Sequence, residues 1–231
     1  MESPPPLTVV MPVLDEAPAI EAALAPLQAL RAAGCEVIVV DGGSRDATRA
    51  LAAPWADRVL EAPRGRAAQM NAGAAAACGD VLLFLHADTA LPANAAAAIA
   101  NGLRGSRREW GRFDVTIAGA DPMLAVVAFL MNARSRATGI ATGDQAIFAR
   151  RAAFERAGGF PAIALMEDVA FSKRMKRESP PLCLRERAVT SGRRWEKHGT
   201  LRTIVLMWRL RLAYALGADP GKLARRYDVA S

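Results

Sequence analysis

The sequence predicts an α/β fold in which a mostly parallel central sheet is covered by helices on both faces. Three observations predict it. Short unbroken runs of β-branched residues and leucine alternate with longer alanine-rich segments through the first hundred residues. These runs (LTVVM, CEVIVV and VLLFL) lack the polar alternation of a strand with one wet face, so both of their faces must be buried. Polar or acidic residues follow them closely, as in sheets that bind a ligand beyond the carboxyl ends of their strands.

In order along the chain, LTVVM (7–11) reads as a strand and APAIEAALAPLQALRAAG (17–34) as a helix closed by glycine. CEVIVV (35–40) is a second strand, RDATRALAA (45–53) a short helix and DRVLEA (57–62) a third strand. GRAAQMNAGAAAACG (65–79) is helical, VLLFL (81–85) is the fourth strand, and PANAAAAIANGL (92–103) is a helix with Pro92 at its start. After residue 104 the pattern loosens. WGRFDVTIAGA (110–120) and QAIFARR (145–151) read as strands, RAAFERAGG (151–159) as a helix with a glycine exit, and EDVAFSKRMKR (167–177) as an amphipathic helix. LCLRERAV (182–189) alternates as a strand, and LRTIVLMWRLRLAYALG (201–217) is a long helix. Arg202 and Arg209 of that helix share a face but Arg211 falls nearly opposite Arg209, which is not a clean amphipathic stripe. Packing within the domain or between two copies is expected of it before membrane contact. No linker, low-complexity tail or internal repeat divides residues 1–231, so they read as one domain.

At 52% hydrophobic and 23% charged, the chain is a foldable globular sequence. Cys35, Cys78 and Cys183 are odd in number and far apart, which excludes a disulfide framework or a paired-cysteine zinc site and suits a reducing cytosol. MESPPPLTVV has no leader signature, and PMLAVVAFLM (122–131) is too short to span a bilayer, so a cytoplasmic protein, soluble or peripheral to a membrane, is expected. Residues 1–100 hold 6 Lys/Arg and 11 Asp/Glu, and the remainder hold 24 and 12. The basic second half suits phosphate groups or acidic lipid. Nucleic acid is the poorest fit, since no helix-turn-helix, zinc-finger or aromatic RNA-binding signature is present.

Two segments stand out for chemistry. VLLFLHADT ends a buried strand on His86 and Asp88, which in an extended segment project to the same side. VVDGGSRDAT puts Asp41 at a strand end before two glycines, with Ser44 available to cap the next helix. Neither a Gly-x-Gly-x-x-Gly fingerprint nor a phosphate-loop pattern occurs, so dinucleotide and P-loop sites are not expected.

Taken in order, VVMPVLDEA (9–17), VVDGGSRDAT (39–48), LLFLHADT (82–89), GDQAIFARRAAFERAGGF (143–160) and MEDVAFSKRMKR (166–177) resemble the motifs of family-2 glycosyltransferases, over roughly residues 7–200. The resemblance implies the A-type glycosyltransferase fold. Residues of about 7–104 would form the nucleotide-sugar-binding half, and about 105–231 the acceptor half with its C-terminal helix. It further implies a nucleotide-diphosphate sugar donor, a small or lipid-linked acceptor, and a divalent cation, Mn²⁺ or Mg²⁺. There are two departures. His86 stands where the family has the first acid of its Asp-x-Asp, and SGRRW (191–195) resembles the Gln-x-x-Arg-Trp motif of polymerising members with Ser191 in place of glutamine. Transfer of one sugar is therefore expected, not polymer synthesis. The HADT variant and the tail RRWEKHG…YALGADP…RRY also resemble a small bacterial subgroup found near radical-enzyme genes and linked to arsenosugar biosynthesis.

Carried onto this chain, the resemblance makes Asp168 the general base of an inverting transfer and Glu167 an acceptor-orienting acid. As residues opening a helix, both also suit its dipole. Pro12, Glu16, Asp41, Arg66 and His86 fall in the nucleotide-sugar segments. Arg194 and Trp195 fall at the acceptor and diphosphate region, with Trp195 either lining the acceptor site or packing on the sheet. Asp88 and His198 would be metal ligands. His86 has two readings, a contact to ribose, phosphate or metal, or a histidine bonded to backbone. Asn71 reads as structural or as a support behind the residues that touch ligand. A second copy through the C-terminal helix and a peripheral membrane contact remain open as partners. The rival function is a non-catalytic nucleotide-sugar-binding or scaffold protein, against which Asp88 and Asp168 both speak. A sugar nucleotidyltransferase lacks support, because no glycine-rich activation loop lies near the start of the chain.

Overall fold

The computed structural model describes residues 6–229. Residues 1–5, which enter the reading of the N-terminus, lie outside that range. Eight strands form one sheet: β1 (Leu7–Val13), β2 (Glu36–Asp41), β3 (Arg58–Glu61), β4 (Val81–Phe84), β5 (Thr89–Ala90), β6 (Trp110–Ala118), β7 (Phe148–Arg150) and β8 (Leu182–Ser191). Their order is β3-β2-β1-β4-β7-β6-β8-β5. The first four strands in that order are parallel, as expected. Beyond them β7 runs antiparallel to both β4 and β6, and β5 antiparallel to β8, so the sheet is mixed. The β6–β8 register jumps from Phe113 opposite Leu184 to Asp114 opposite Arg187, which leaves Arg185 and Glu186 in a bulge.

Unbroken apolar strands do bury both faces. Val9, Met11, Val37, Val39 and Leu83 point to one core with Ile20, Leu24 and Ile99. Val10, Ile38, Val40, Leu82 and Phe84 point to the other with Met70, Phe154 and Phe171. Successive side chains thus divide between two apolar layers, which is why the sequence shows runs and not alternation.

The helix expected over 17–34 is two short ones, α1 (Ile20–Leu24) and α2 (Gln28–Ala32), joined by a tight turn over Ala25–Leu27. Pro26 sits in that turn, where its missing N–H interrupts the regular ladder. The other helices are α3 (Thr48–Ala52), α4 (Arg66–Ala76), α5 (Ala95–Arg104), α6 (Met123–Thr138), α7 (Arg151–Arg156), α8 (Glu167–Glu178), α9 (Arg193–His198), α10 (Thr200–Ala215) and α11 (Pro220–Val229). The strand expected over 145–151 is shorter than predicted: Gly143–Gln145 is a helical turn held by a Thr142/Gln145 capping box, and β7 covers only three residues.

The α10 reading also needs correction. Leu201, Val205, Trp208, Leu212 and Leu216 recur at helical spacing and are all exposed, while Thr203 and Leu210 are buried on another side. The helix therefore has an outward apolar stripe that its arginines alone do not reveal. Among the described residues no helix is long and apolar enough to cross a membrane.

Candidate active site

A cleft of about 760 Å³ lies at the strand ends, and it collects residues from both halves of the chain. From the first half it takes Arg66, His86 and Asp88; from the second, Arg134, Asp144, Glu167, Asp168, Arg194 and Trp195. Of the residues singled out from sequence, His86, Asp88, Asp168, Glu167, Arg66, Arg194 and Trp195 thus line this one space.

His86 and Asp88 reach it by a different route from the one expected. β4 ends at Phe84, and the chain then turns, with Thr89 N–H donating to the His86 carbonyl at 3.1 Å. A turn, not an extended strand, brings the two side chains to the cleft. Asp88 is exposed on its wall, with the Thr89 hydroxyl 3.2 Å from Oδ1. Its carbonyl accepts the Ser191 N–H at 2.9 Å, and β5 pairs with the end of β8, so the Asp88 turn is fastened to the strand that leads into α9. His86 is nearly buried and lies against Gly143, where an added Cβ would sit 2.2 Å from its Cε1. Its Nδ1 is 3.7 Å from Asp144 Oδ1, an electrostatic neighbour beyond hydrogen-bond length. Asp144 is the acid that sequence reasoning did not single out, although it is the second residue of the GDQAIFARR segment matched to the family motifs. Desolvation opposes its charge, but His86 and then Arg66 and Arg194 hold its carboxyl below the usual value.

Glu167 and Asp168 open α8. Met166, just before them, adopts a left-handed backbone (φ 67°), which turns the chain so that the first helical turn faces the cleft. Asp15 and Ala146 are the other non-glycine residues with positive φ among those described; Asp15 adjoins Glu16, and Ala146 ends the turn that carries Asp144. Both Asp168 oxygens accept backbone N–H groups, Oδ2 from Gly143 at 3.0 Å and Oδ1 from Val169 at 2.7 Å. Burial nevertheless raises its pKa, with Asp144 adding to the effect. Glu167 is only 6% exposed, and burial followed by the Asp168 charge raises its pKa as well. Arg66, at the start of α4, meets the same acids. Desolvation works against it, yet Glu167, Tyr227, Asp144 and Asp88 together raise its pKa.

The remaining first-half residues support the cleft from behind. Asp41 is buried and spent on its own turn, its carboxylate accepting from the N–H groups of Gly43 and Ser44 and from the Ser44 hydroxyl. The DGGSRDAT segment then clasps the loop after β1: the Ser44 hydroxyl accepts from Asp15 N–H at 2.8 Å, Thr48 from Glu16 N–H at 2.8 Å, and Asp46 from Ala17 N–H at 3.0 Å. Pro12 is buried within β1 opposite Val40. Glu16 is half-buried, and desolvation followed by the charge of Asp88 raises its pKa, which puts it on the Asp88 side of the site. Gln69 bridges the ends of β1 and β2 by donating to the carbonyls of Val13 and Val40. Asn71 is structural, as expected: it bonds Phe160 in both directions, locking the Gly-Gly-Phe loop.

From the second half of the chain, Trp195 both lines the cleft and packs on Ile117, Leu124 and Val127. Arg194 stacks over the Tyr227 ring at 4.0 Å. His198 does not line the cleft with Asp88: with Arg202 it lines a small adjoining pocket that shares Arg194, Thr203 and Met207 with the cleft. Among the described residues no three His, Cys, Asp or Glu side chains converge to hold a metal ion by themselves. An exposed carboxylate such as Asp88 suits a hard cation whose other ligands are diphosphate and water oxygens, so the donor set fits a divalent ion shared with a ligand.

A mixed sheet flanked by helices, parallel over its first four strands and bordered by a cleft of carboxylates and arginines, is the architecture of the A-type glycosyltransferase class. The family model described as Glycosyl transferase family 2 matches residues 8–154, and the chain belongs to that family. No curated protein gives a significant match. Among solved structures, the mannosyltransferase PcManGT from Pyrobaculum calidifontis, in complex with GDP-Man and Mn²⁺, is 25% identical with a TM-score of 0.64, over 91% of this chain and 61% of that one. TarS from S. aureus in complex with UDP-GlcNAc is 16% identical with a TM-score of 0.65, over 80% and 58%. Glucosyl-3-phosphoglycerate synthase from Mycobacterium tuberculosis, in complex with Mn²⁺, UDP and glucosyl-3-phosphoglycerate, is 18% identical with a TM-score of 0.60, over 80% and 71%. The last two likenesses speak to fold alone. The chain spans about three fifths of the first structure it matches.

Proposed function

We propose that this protein is an inverting, metal-dependent glycosyltransferase that moves a single hexosyl unit from a nucleotide-diphosphate sugar to a small or lipid-linked acceptor in the cytoplasm. The observation that carries the reading is Asp168, a cleft carboxylate fixed by two backbone N–H groups and made more basic by burial. As the acceptor hydroxyl oxygen attacks the anomeric carbon, its proton passes to Asp168. The bond from that carbon to the diphosphate oxygen breaks, and the nucleoside diphosphate leaves with the electron pair. A divalent cation bound at Asp88 would neutralise charge on the departing diphosphate. Arg66 and Arg194 face the same space and can hold phosphate oxygens. Glu167, beside Asp168, orients the acceptor. Binding of GDP-Man and Mn²⁺ by the Pyrobaculum mannosyltransferase supports the donor and cation classes. The narrower tie to the arsenosugar-linked subgroup rests on the HADT variant and the C-terminal tail, and belongs to this proposal.

Calorimetric titration of UDP and GDP with Mn²⁺, paired with single-turnover transfer or donor hydrolysis, tests the assignment. Asp88→Ala is expected to lose metal-dependent nucleotide binding while remaining folded. Asp168→Asn should keep that binding and lose about 10² to 10⁴ in rate, the usual contribution of a general base. A wild-type protein that binds the nucleotide yet leaves every donor intact would favour the non-catalytic rival. Loss of nucleotide binding in Asp168→Asn would move that residue out of the base role.

A further inference from the structure

Three arginines lie on or beside α6, and two of them are satisfied. Arg112, fully buried on β6, is paired with Asp114 and donates to Ser135, and Arg136 reaches the other Asp114 oxygen at 2.6 Å. Arg134 is different. It lines the cleft, and its Nε and Nη2 are enclosed without any hydrogen-bond partner among the described residues. Burial lowers its pKa, Asp168 is the acid whose charge opposes that effect, and Arg112 adds to it. A guanidinium stays charged in proteins, so enclosing one without a partner carries a standing cost in the ligand-free protein. Buried polar groups left unsatisfied are rare, and a cleft-lining one points to a partner that arrives with the ligand.

The surroundings specify that partner. Val127, Leu130 and Met131 share the cleft-facing side of α6 with Arg134, and Trp208 and Leu212 of α10 line the same cleft. Leu130, Trp208 and Leu212 are also exposed, at 51%, 67% and 62%, so the apolar lining runs from the cleft out to the surface. A guanidinium fork matches a carboxylate or phosphate, and the apolar lining matches a hydrocarbon body. We propose that Arg134 is the anion-binding group of the acceptor subsite, and that the acceptor is an amphiphile whose phosphate or carboxylate is held by Arg134 while its apolar body lies between α6 and α10. The word acceptor rests on the transferase reading above; the acid-binding role of Arg134 does not.

The test is a titration followed by the fluorescence of Trp195 and Trp208, both of which line the cleft. Decyl phosphate, decanoate, inorganic phosphate and decyl maltoside are added below their aggregation thresholds to the wild type, Arg134→Met and Arg134→Lys. The acidic amphiphiles should bind saturably, with decyl phosphate and decanoate telling which acid is preferred. The neutral maltoside and inorganic phosphate should each bind at least tenfold more weakly. Arg134→Met should weaken the acidic amphiphiles by about 10- to 100-fold, the usual loss for a charged hydrogen bond, and Arg134→Lys should retain part of the affinity. Nucleoside diphosphate and Mn²⁺ affinity should not change in either variant. Without ligand, Arg134→Met should melt at or above the wild-type temperature, because it removes an unpartnered charge. Equal binding of decyl phosphate by wild type and Arg134→Met, or of decyl maltoside and decyl phosphate by wild type, overturns the proposal. So does a lowered melting temperature in Arg134→Met, which would make Arg134 a structural residue. Wild-type protein that binds acidic amphiphiles but no nucleotide would sink the transferase reading and leave the Arg134 site standing.

Discussion

Gly143 is the most constrained small residue in the cleft, and its replacement by alanine would test the geometry directly. A Cβ there would lie 2.2 Å from His86 Cε1, 2.6 Å from Nε2 and 3.2 Å from Nδ1, when real Cβ contacts under 3.0 Å essentially never occur. The His86 side chain is only 11% exposed, so it has little room to retreat. If the ring holds, the 143–145 turn must move instead, and with it the Gly143 N–H that donates to Asp168 Oδ2 at 3.0 Å. Overpacking of this kind costs about 1–3 kcal/mol. For a chain of this size that lowers the melting temperature by roughly 2–12 °C. Thermal unfolding followed by circular dichroism on Gly143→Ala, His86→Ala and the double variant reads it out. Removing the ring should remove the clash, so the double variant should recover most of the loss in Gly143→Ala, a coupling on the order of 1 kcal/mol or more. A Gly143→Ala protein within about 1 °C of the parent, or a double variant no better than Gly143→Ala, would refute the reasoning.

Two other predictions follow from the site and the sheet. Burial raises the Asp168 pKa above its ordinary 3.8, so the folded protein holds this proton to higher pH than the unfolded chain does. The stability it contributes is full below the ordinary value and is lost as pH rises through the raised one. The parent should therefore fall in melting temperature relative to Asp168→Asn as pH rises above about 4; parallel curves would show that Asp168 titrates normally. At Gly111 an added Cβ would meet the Leu182 carbonyl at 2.2 Å and Phe148 Cζ at 2.6 Å, and backbone cannot step aside as a side-chain tip can. Gly111→Ala should cost about 3 kcal/mol or more in urea unfolding, and a loss under about 1 kcal/mol would contradict the β6–β8 packing.

The parallel half of the fold was legible because its signals are local. Val9, Val10, Val37, Ile38, Leu82 and Leu83 are apolar whichever face they take, and only a strand buried on both sides demands that. β7 and the turn before it were harder, since QAIFARR is equally apolar as strand or turn and the Thr142/Gln145 cap is a side-chain contact. Helix α6 was overlooked although Val127, Met131 and Arg134 fall at helical spacing, and reading that spacing would have found Arg134. The long-range pairings were beyond reach: no pattern tells that Asp144 would stand beside His86, or that His198 would face an adjoining pocket with Arg202. At Asp41 the motif was legible, but the local bonds its carboxylate makes to Gly43 and Ser44 were not.

The bulge at Arg185 and Glu186 bears on how the molecule behaves in a crowd of its own copies. β5 covers only the Val189–Thr190 end of β8, so among the described residues most of the outer margin of that ten-residue strand has no paired strand. A straight, unpaired margin of that length is a template for a strand from another chain. Here the two extra residues bend it, and the run Arg185, Glu186, Arg187 lays charge along it, with both arginines exposed. At the opposite margin β3 offers four residues, with Arg58 and Glu61 exposed at its ends. The same irregularity that breaks the sheet's register thereby guards it against edge-to-edge aggregation.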